Sequence, residues 1–107
     1  MALQVAELSL ELIEALRPLV PRIKAKDKSL ADQIMRSSSS IALNVGEAGL
    51  SDAGNRRARF FNAAGSAGET YTAVRIAIAW RYFTAKEGEA AVALLRRIIA
   101  IMWKLTR

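Results

Sequence analysis

Apolar residues recur with helical spacing from the start of the chain. Residues 3–16 contain no proline or glycine, and Gln4, Glu7, Glu11 and Glu14 form one narrow polar stripe. The other positions form two apolar seams, one of Leu3, Ala6, Leu10 and Ile13 and one of Val5, Leu8, Leu12, Ala15 and Leu19. A helix of a small monomer normally buries one seam. We therefore expect the second seam either to contact another subunit or to widen the core.

Prolines and capping residues set the next boundaries. Because proline removes an intrahelical hydrogen bond, Pro18 and Pro21 predict that the first helix kinks or ends between residues 17 and 23. Ser29 opens an S-x-x-D sequence that resembles a capping box, so a second helix is predicted from this residue. Gly46 and Gly49 predict its end.

Two further helices complete the predicted fold. Ser51 and Asp52 predict the N-cap of a third helix, and the T-x-x-E capping box at Thr84 predicts a fourth helix from Ala85. The predicted core seams are Phe60, Ala64, Ala67, Tyr71, Val74 and Ile78 in the third helix, and Ala91, Leu94, Ile98, Ile101 and Leu105 in the fourth, where Leu95, Ile99 and Met102 widen the seam. Short connectors favour an all-α fold with one domain over residues 1–107, an antiparallel up-down-up-down four-helix bundle.

Small residues in the middle of the chain predict a close helix contact. Gly65 and Gly68 lie inside the third predicted helix, where each costs about 1 kcal/mol relative to alanine. We expect close approach of another helix to offset this cost. The serines at positions 37–40 of the second helix are the predicted partners, together with Ser66.

Composition excludes most catalytic chemistry. The 107 residues contain no histidine and no cysteine, which removes imidazole bases, thiol nucleophiles and the commonest metal ligands. Glu47 and Glu69 are a conceivable acid–base pair, but their separation cannot be read from the sequence. We therefore predict that the protein is not an enzyme and binds no metal or cofactor. No uncharged stretch approaches the roughly 20 residues of a spanning helix, so we expect a cytoplasmic protein with no membrane partner.

Positive charge is the clearest polar signal. Lysine and arginine number 16 against 10 acidic residues, which gives a net charge of +6. Two groups recur on predicted helices: Arg56, Arg57 and Arg59 in the third, and Arg96, Arg97, Lys104 and Arg107 in the fourth, where residues 90–107 contain no acid. Such cations bind a phosphate backbone if several subunits present them together. For the cations of the fourth helix, the alternative is that they pair with Glu7, Glu11 and Glu14 of the first helix. For the arginines of the third helix, the alternative is that they are exposed to solvent and bind nothing.

Three aromatic residues allow two interpretations. Trp80, Tyr82 and Trp103 could stack on nucleic-acid bases. We favour the alternative that they are core or interface residues.

Two sequence motifs resemble those of the ribosomal-RNA intervening-sequence proteins. The stretch QIMRSSSSIALNVGEAG begins at Gln33, and FFNAAGSAGE ends at Glu69. That family shows Q-x-x-R-x-x-x-S-I-x-x-N-[IV]-x-E-G, followed by F-x-x-A-x-G-S-x-x-E. The matching positions are Gln33, Arg36, Ser40, Ile41, Asn44, Val45 and Glu47, and then Phe61, Ala63 or Ala64, Gly65, Ser66 and Glu69.

This resemblance carries its own expectations. It implies a left-handed four-helix bundle that assembles as a ring of five subunits and associates with nucleic acid. Related accessory proteins of diversity-generating retroelements imply a reverse transcriptase as a further partner. The matched Arg36, Asn44 and Glu47 are expected to form a buried polar network with Ser66 or Glu69, the alternative being a ligand site.

Together the residues and the resemblance predict a homopentameric scaffold that presents arginine to RNA or DNA. The alternative is an adaptor that docks an acidic protein.

Overall fold

Five helices make up most of the computed structural model, which describes residues 2–107. They are α1 (Ala2–Leu16), α2 (Val20–Lys24), α3 (Lys28–Ala48), α4 (Ala53–Ala79) and α5 (Glu89–Leu105). No strand occurs within residues 2–107. Helices α1 and α4 each pack against both α3 and α5, while α2 packs against α3. The apolar side chains between them form one core in a molecule of 42 × 22 × 19 Å.

The proline boundary is confirmed, and the following cap is corrected. Helix α1 ends at Leu16, and the prolines are followed by the short helix α2, which the sequence pattern did not predict. The cap of α3 is Asp27 rather than Ser29, because Asp27 Oδ1 accepts a hydrogen bond from Leu30 N at 3.0 Å. Ser29 lies inside the first turn of the helix.

The prediction that a helix starts at Ala85 is wrong. The predicted capping box does form, since Thr84 N donates to Glu87 Oε1 at 2.9 Å and Glu87 N donates to Thr84 Oγ1 at 3.1 Å. However, it closes only a single turn, and α5 begins at Glu89. The buried ring of Phe83 packs so closely on Gly88 that a Cβ there would lie 2.7 Å from Phe83 Cε2. Gly88 is thus the residue that allows the Phe83 ring to pack against the start of α5.

Helices α3 and α4 run antiparallel and meet through small side chains. Hydrogen bonds between their side chains join Ser37 to Thr70 and Ser40 to Ser66. The later residue of α3 therefore pairs with the earlier residue of α4, as in an antiparallel pair. The close approach does not use glycine, because a Cβ added to Gly65 or Gly68 would meet no atom within 4 Å. The predicted role of these glycines is therefore wrong.

The buried face of α4 is partly rotated from the predicted seam, of which Phe60, Ala67 and Val74 are buried as predicted. In α4 the core positions include Ala63, Thr70 and Ala77, while the predicted Tyr71 and Ile78 are only half-buried. Small side chains permit this rotation because they let α4 approach α3 closely. In α5 the prediction is confirmed, because the buried residues Ala91, Leu95, Ile98 and Met102 all belong to the predicted wide seam, and its other members are half-buried.

Helix α1 buries only one of its two seams. Val5, Leu8 and Leu12 lie in the core, whereas Leu3 and Leu10 remain 79% and 53% exposed. Of the same seam, Ala6 packs against the edge of the core, so this seam widens the core only in part. No helix within residues 2–107 combines the length and apolarity needed to cross a membrane.

Candidate nucleic-acid interface

The first arginine of the basic group in α4 is bound to the end of α3. Asp52 caps α4 by accepting a hydrogen bond from Asn55 N at 2.9 Å, which places Arg56 one residue further into the helix. Arg56 Nε donates to Ala48 O, and its Nη2 donates to Ser51 O, both at 3.3 Å. These carbonyls lie at and beyond the C-terminus of α3, where a cation is favoured by the helix dipole.

The other two arginines of this group also bind the protein itself. Arg59 forms an ion pair with Glu47 of α3 at 2.9 Å. Arg57 Nη2 donates to Thr106 O at the end of α5 at 3.2 Å, and its guanidinium lies 5.5 Å from the centre of the Phe61 ring. The cations of the α4 N-terminus thus meet the C-terminal ends of two neighbouring helices, which compensates for their unfavourable position on α4.

The cations of α5 are placed differently. Arg97, Lys104 and Arg107 are exposed, and none of their side chains forms an ion pair or a hydrogen bond within residues 2–107. Although α1 packs against α5, its acids do not neutralise this helix: the one ion pair they form in the described chain joins Glu14 to Arg17 at 3.9 Å. The alternative in which α1 pairs with the cations of α5 is therefore wrong.

Arg96 joins a cluster that the sequence did not reveal. Tyr71 Oη accepts hydrogen bonds from Arg75 Nη1 at 2.8 Å and from Arg96 Nη2 at 3.4 Å. These bonds, with that of Arg96 the stronger influence, lower the pKa of the Tyr71 phenol. The available signal was the four-residue spacing of Tyr71 and Arg75, which places both side chains on one face of a helix. The contribution of α5 depends on the tertiary fold.

The family-motif residues bridge α3 and α4. Gln33 Nε2 donates to Glu69 Oε1 at 2.9 Å, and Ser66 Oγ donates to Ser40 Oγ, also at 2.9 Å. Asn44 Nδ2 donates within α3, to Ser40 O at 2.9 Å. Most of the matched polar positions therefore serve the contact between these helices.

The expected buried network is wrong in two members. Arg36 and Glu47 are exposed, and the side chain of Arg36 forms no hydrogen bond or ion pair within residues 2–107. The fully buried polar contact joins Ser37 and Thr70, at 2.7 Å between their hydroxyl oxygens. Glu47 and Glu69 bond to different partners, which gives no support to a shared acid–base role.

The three aromatic residues that could stack on bases lie mainly at the surface. Trp80 and Trp103 are 68% and 69% exposed, so neither is a core residue, while Tyr82 is half-buried. Trp103 lies directly beside Lys104 in α5. Within residues 2–107, no group of three or more acidic side chains is arranged to hold a metal ion.

Fold and surface define a small, basic, all-helical protein with exposed cations on its last helix. The model of the 23S rRNA-intervening sequence proteins matches residues 1–104, and the chain belongs to this family.

A solved structure shares this fold. The chain is similar to a protein of unknown function from the S23 ribosomal protein family of Bacteroides thetaiotaomicron, with a TM-score of 0.87 and 23% identity. The alignment covers 96% of this chain and 98% of the Bacteroides chain. A comparison with curated proteins gave no match.

Proposed function

We propose that this protein is a non-catalytic scaffold that self-associates and binds RNA or DNA through α5. The observation that carries the proposal is that Arg97, Lys104 and Arg107 are exposed and have no carboxylate partner in the part of the chain that the structure describes. Cations left unpaired by their own protein are available to phosphate groups, and binding releases counterions from the nucleic acid. A net charge of +6 supports the same partner.

Self-association is the second part of the proposal. We propose that α1, α3, α4 and α5 form an antiparallel four-helix bundle and that five copies assemble as a ring. The support is the apolar surface that one copy leaves exposed on adjacent helices, including Leu3 and Leu10 of α1 and Met35 and Leu43 of α3. Burying this surface between copies would also bring several α5 helices together.

The nucleic-acid part is tested by a charge-matched pair of double variants. Arg97→Ala with Lys104→Ala should weaken binding of a labelled 20-nucleotide strand and lower its salt slope by about 1.4, since each phosphate contact contributes about 0.7. Arg17→Ala with Lys26→Ala removes the same charge from the segments on either side of α2. This control should leave the affinity and the salt slope nearly unchanged. Equal effects of the two variants would contradict a site on α5.

A second function is favoured by the exposed tryptophans. Trp103 lies among the cations of α5, and an aromatic residue beside arginine is common at protein interfaces. The protein would then be an adaptor for an acidic partner such as a protein that acts on nucleic acid. This function would be favoured if the protein captured an acidic partner even after nuclease treatment and did not itself bind the labelled nucleic-acid strand.

A further inference from the structure

Two arginines from different helices donate hydrogen bonds to a single uncharged oxygen atom. Arg75 of α4 and Arg96 of α5 both donate to Tyr71 Oη, at 2.8 and 3.4 Å. Neither arginine forms an ion pair with any carboxylate within residues 2–107. Two like charges are therefore held close together, and nothing in the described chain neutralises them.

The tyrosine ring fixes the positions of both cations. The guanidinium carbons of Arg75 and Arg96 lie 5.6 and 6.0 Å from the centre of the Tyr71 ring. Contact with the ring face restricts each long side chain and attracts its positive charge. Each guanidinium has five N–H donors, of which the hydrogen bonds to Tyr71 use one. Most donors of the pair thus remain available to a ligand.

An open depression of about 470 Å³ lies beside this cluster, between α4 and α5. Arg75 and Arg96 line it, and Ile78 and Val92 provide an apolar part of its wall. A phosphate group with an attached sugar has the matching combination of a charged end and a less polar body.

We propose that Arg75 and Arg96 together bind one phosphate group of a nucleic-acid backbone, with Tyr71 as the residue that positions them. Guanidinium forks match phosphate oxygens, and an anion between the two cations removes their mutual repulsion. This inference rests on the proposed function, and it adds α4 to a surface otherwise formed by α5.

One acidic residue borders the depression, and its removal should strengthen binding where removal of an arginine weakens it. Glu89 lines the same depression but forms no ion pair with Arg75 or Arg96. A carboxylate at this place repels a phosphate. Glu89→Gln should therefore bind the strand two- to fivefold more tightly, a change that a purely structural arginine cluster would not produce.

The main experiment measures binding of a labelled 20-nucleotide single strand over a salt series. Arg75→Ala should weaken binding about tenfold and lower the salt slope by about 0.7. Arg17→Ala is the charge-matched control and should change neither. Tyr71→Phe should weaken binding without changing the salt slope, because both cations remain but lose their common anchor.

The outcomes separate this inference from the proposed function. If the wild type binds the strand and Arg75→Ala behaves like Arg17→Ala, the Arg75–Arg96 site is wrong while binding through α5 stands. If the wild type binds no strand, both are overturned. Free inorganic phosphate is another ligand that this site could bind, and calorimetry measures its binding. Phosphate binding that Arg75→Ala abolishes, without any effect of this variant on the strand, would overturn the backbone assignment.

Discussion

Arg57 and Thr106 lie 49 residues apart in the chain and are joined by a hydrogen bond of 3.2 Å from Arg57 Nη2 to Thr106 O. The bond ties the first turn of α4 to the end of α5. Arg56 makes the equivalent connection to the end of α3 through Ala48 O. A group of arginines that suggested a nucleic-acid surface thus has a defined structural role in the folded chain.

This role predicts a loss of stability on removing Arg56. Arg56→Met keeps much of the aliphatic chain but removes the side-chain hydrogen bonds to Ser51 O and Ala48 O, of which Ala48 O keeps only the bond from Ser51 N, and we expect about 1 kcal/mol less free energy of unfolding. Urea denaturation measures the change, with Arg17→Ala as a control expected to stay within about 0.5 kcal/mol. Equal stability of the Arg56→Met variant and the wild type would show that these bonds contribute nothing.

The buried Ser37–Thr70 contact gives a prediction with a built-in control. Thr70→Val removes one hydroxyl and leaves Ser37 Oγ with only a long bond of 3.4 Å to Ile34 O, which should cost about 1–2 kcal/mol of unfolding free energy. Adding Ser37→Ala should restore part of the loss, because no buried hydroxyl is then left unpaired. A double-mutant cycle in urea measures this coupling, and strictly additive losses would contradict it.

The glycines provide a pair of opposite predictions. Gly65→Ala and Gly68→Ala should each stabilise the protein by about 1 kcal/mol, because both lie inside α4 and the new Cβ has open space. Gly88→Ala should destabilise it by about 1–3 kcal/mol, since its Cβ would overlap the Phe83 ring. Thermal unfolding of the three variants checks the signs. Destabilisation by both α4 substitutions would indicate that the α4 face is covered.

The stability of the turn before α5 should depend on pH. Arg22, followed by hydrogen bonds to Thr84, lowers the pKa of Glu87 from 4.5 to about 2. A carboxyl with a lowered pKa in the folded state stabilises the protein above its unfolded pKa, and this contribution is lost as pH falls from about 5 to 2. Glu87→Gln should therefore lower the Tm at pH 7 and have little effect at pH 2. A Tm difference independent of pH would contradict the assignment.

Local patterns predicted much of the fold, and the errors have physical causes. The proline boundary and the cap at Asp52 follow from backbone chemistry within a few residues, and both are confirmed. The start of α5 was missed because the Thr84 capping box forms as predicted but closes a single turn, which its local pattern does not distinguish from the start of a helix. The cluster around Tyr71 was missed in part because Arg75 and Arg96 lie 21 residues apart and meet only through the packing of α4 on α5.

Large apolar side chains remain exposed on one copy of the protein, and we propose that copies therefore associate and combine their positive charge. Light scattering coupled to size exclusion tests it most directly, on the wild type and on Leu10→Glu. The wild type should have a mass about five times 11.7 kDa. Leu10→Glu should reduce the mass towards one subunit without loss of helix, while the control Gln4→Glu should not. A wild type with the mass of a single chain at all concentrations would contradict the account.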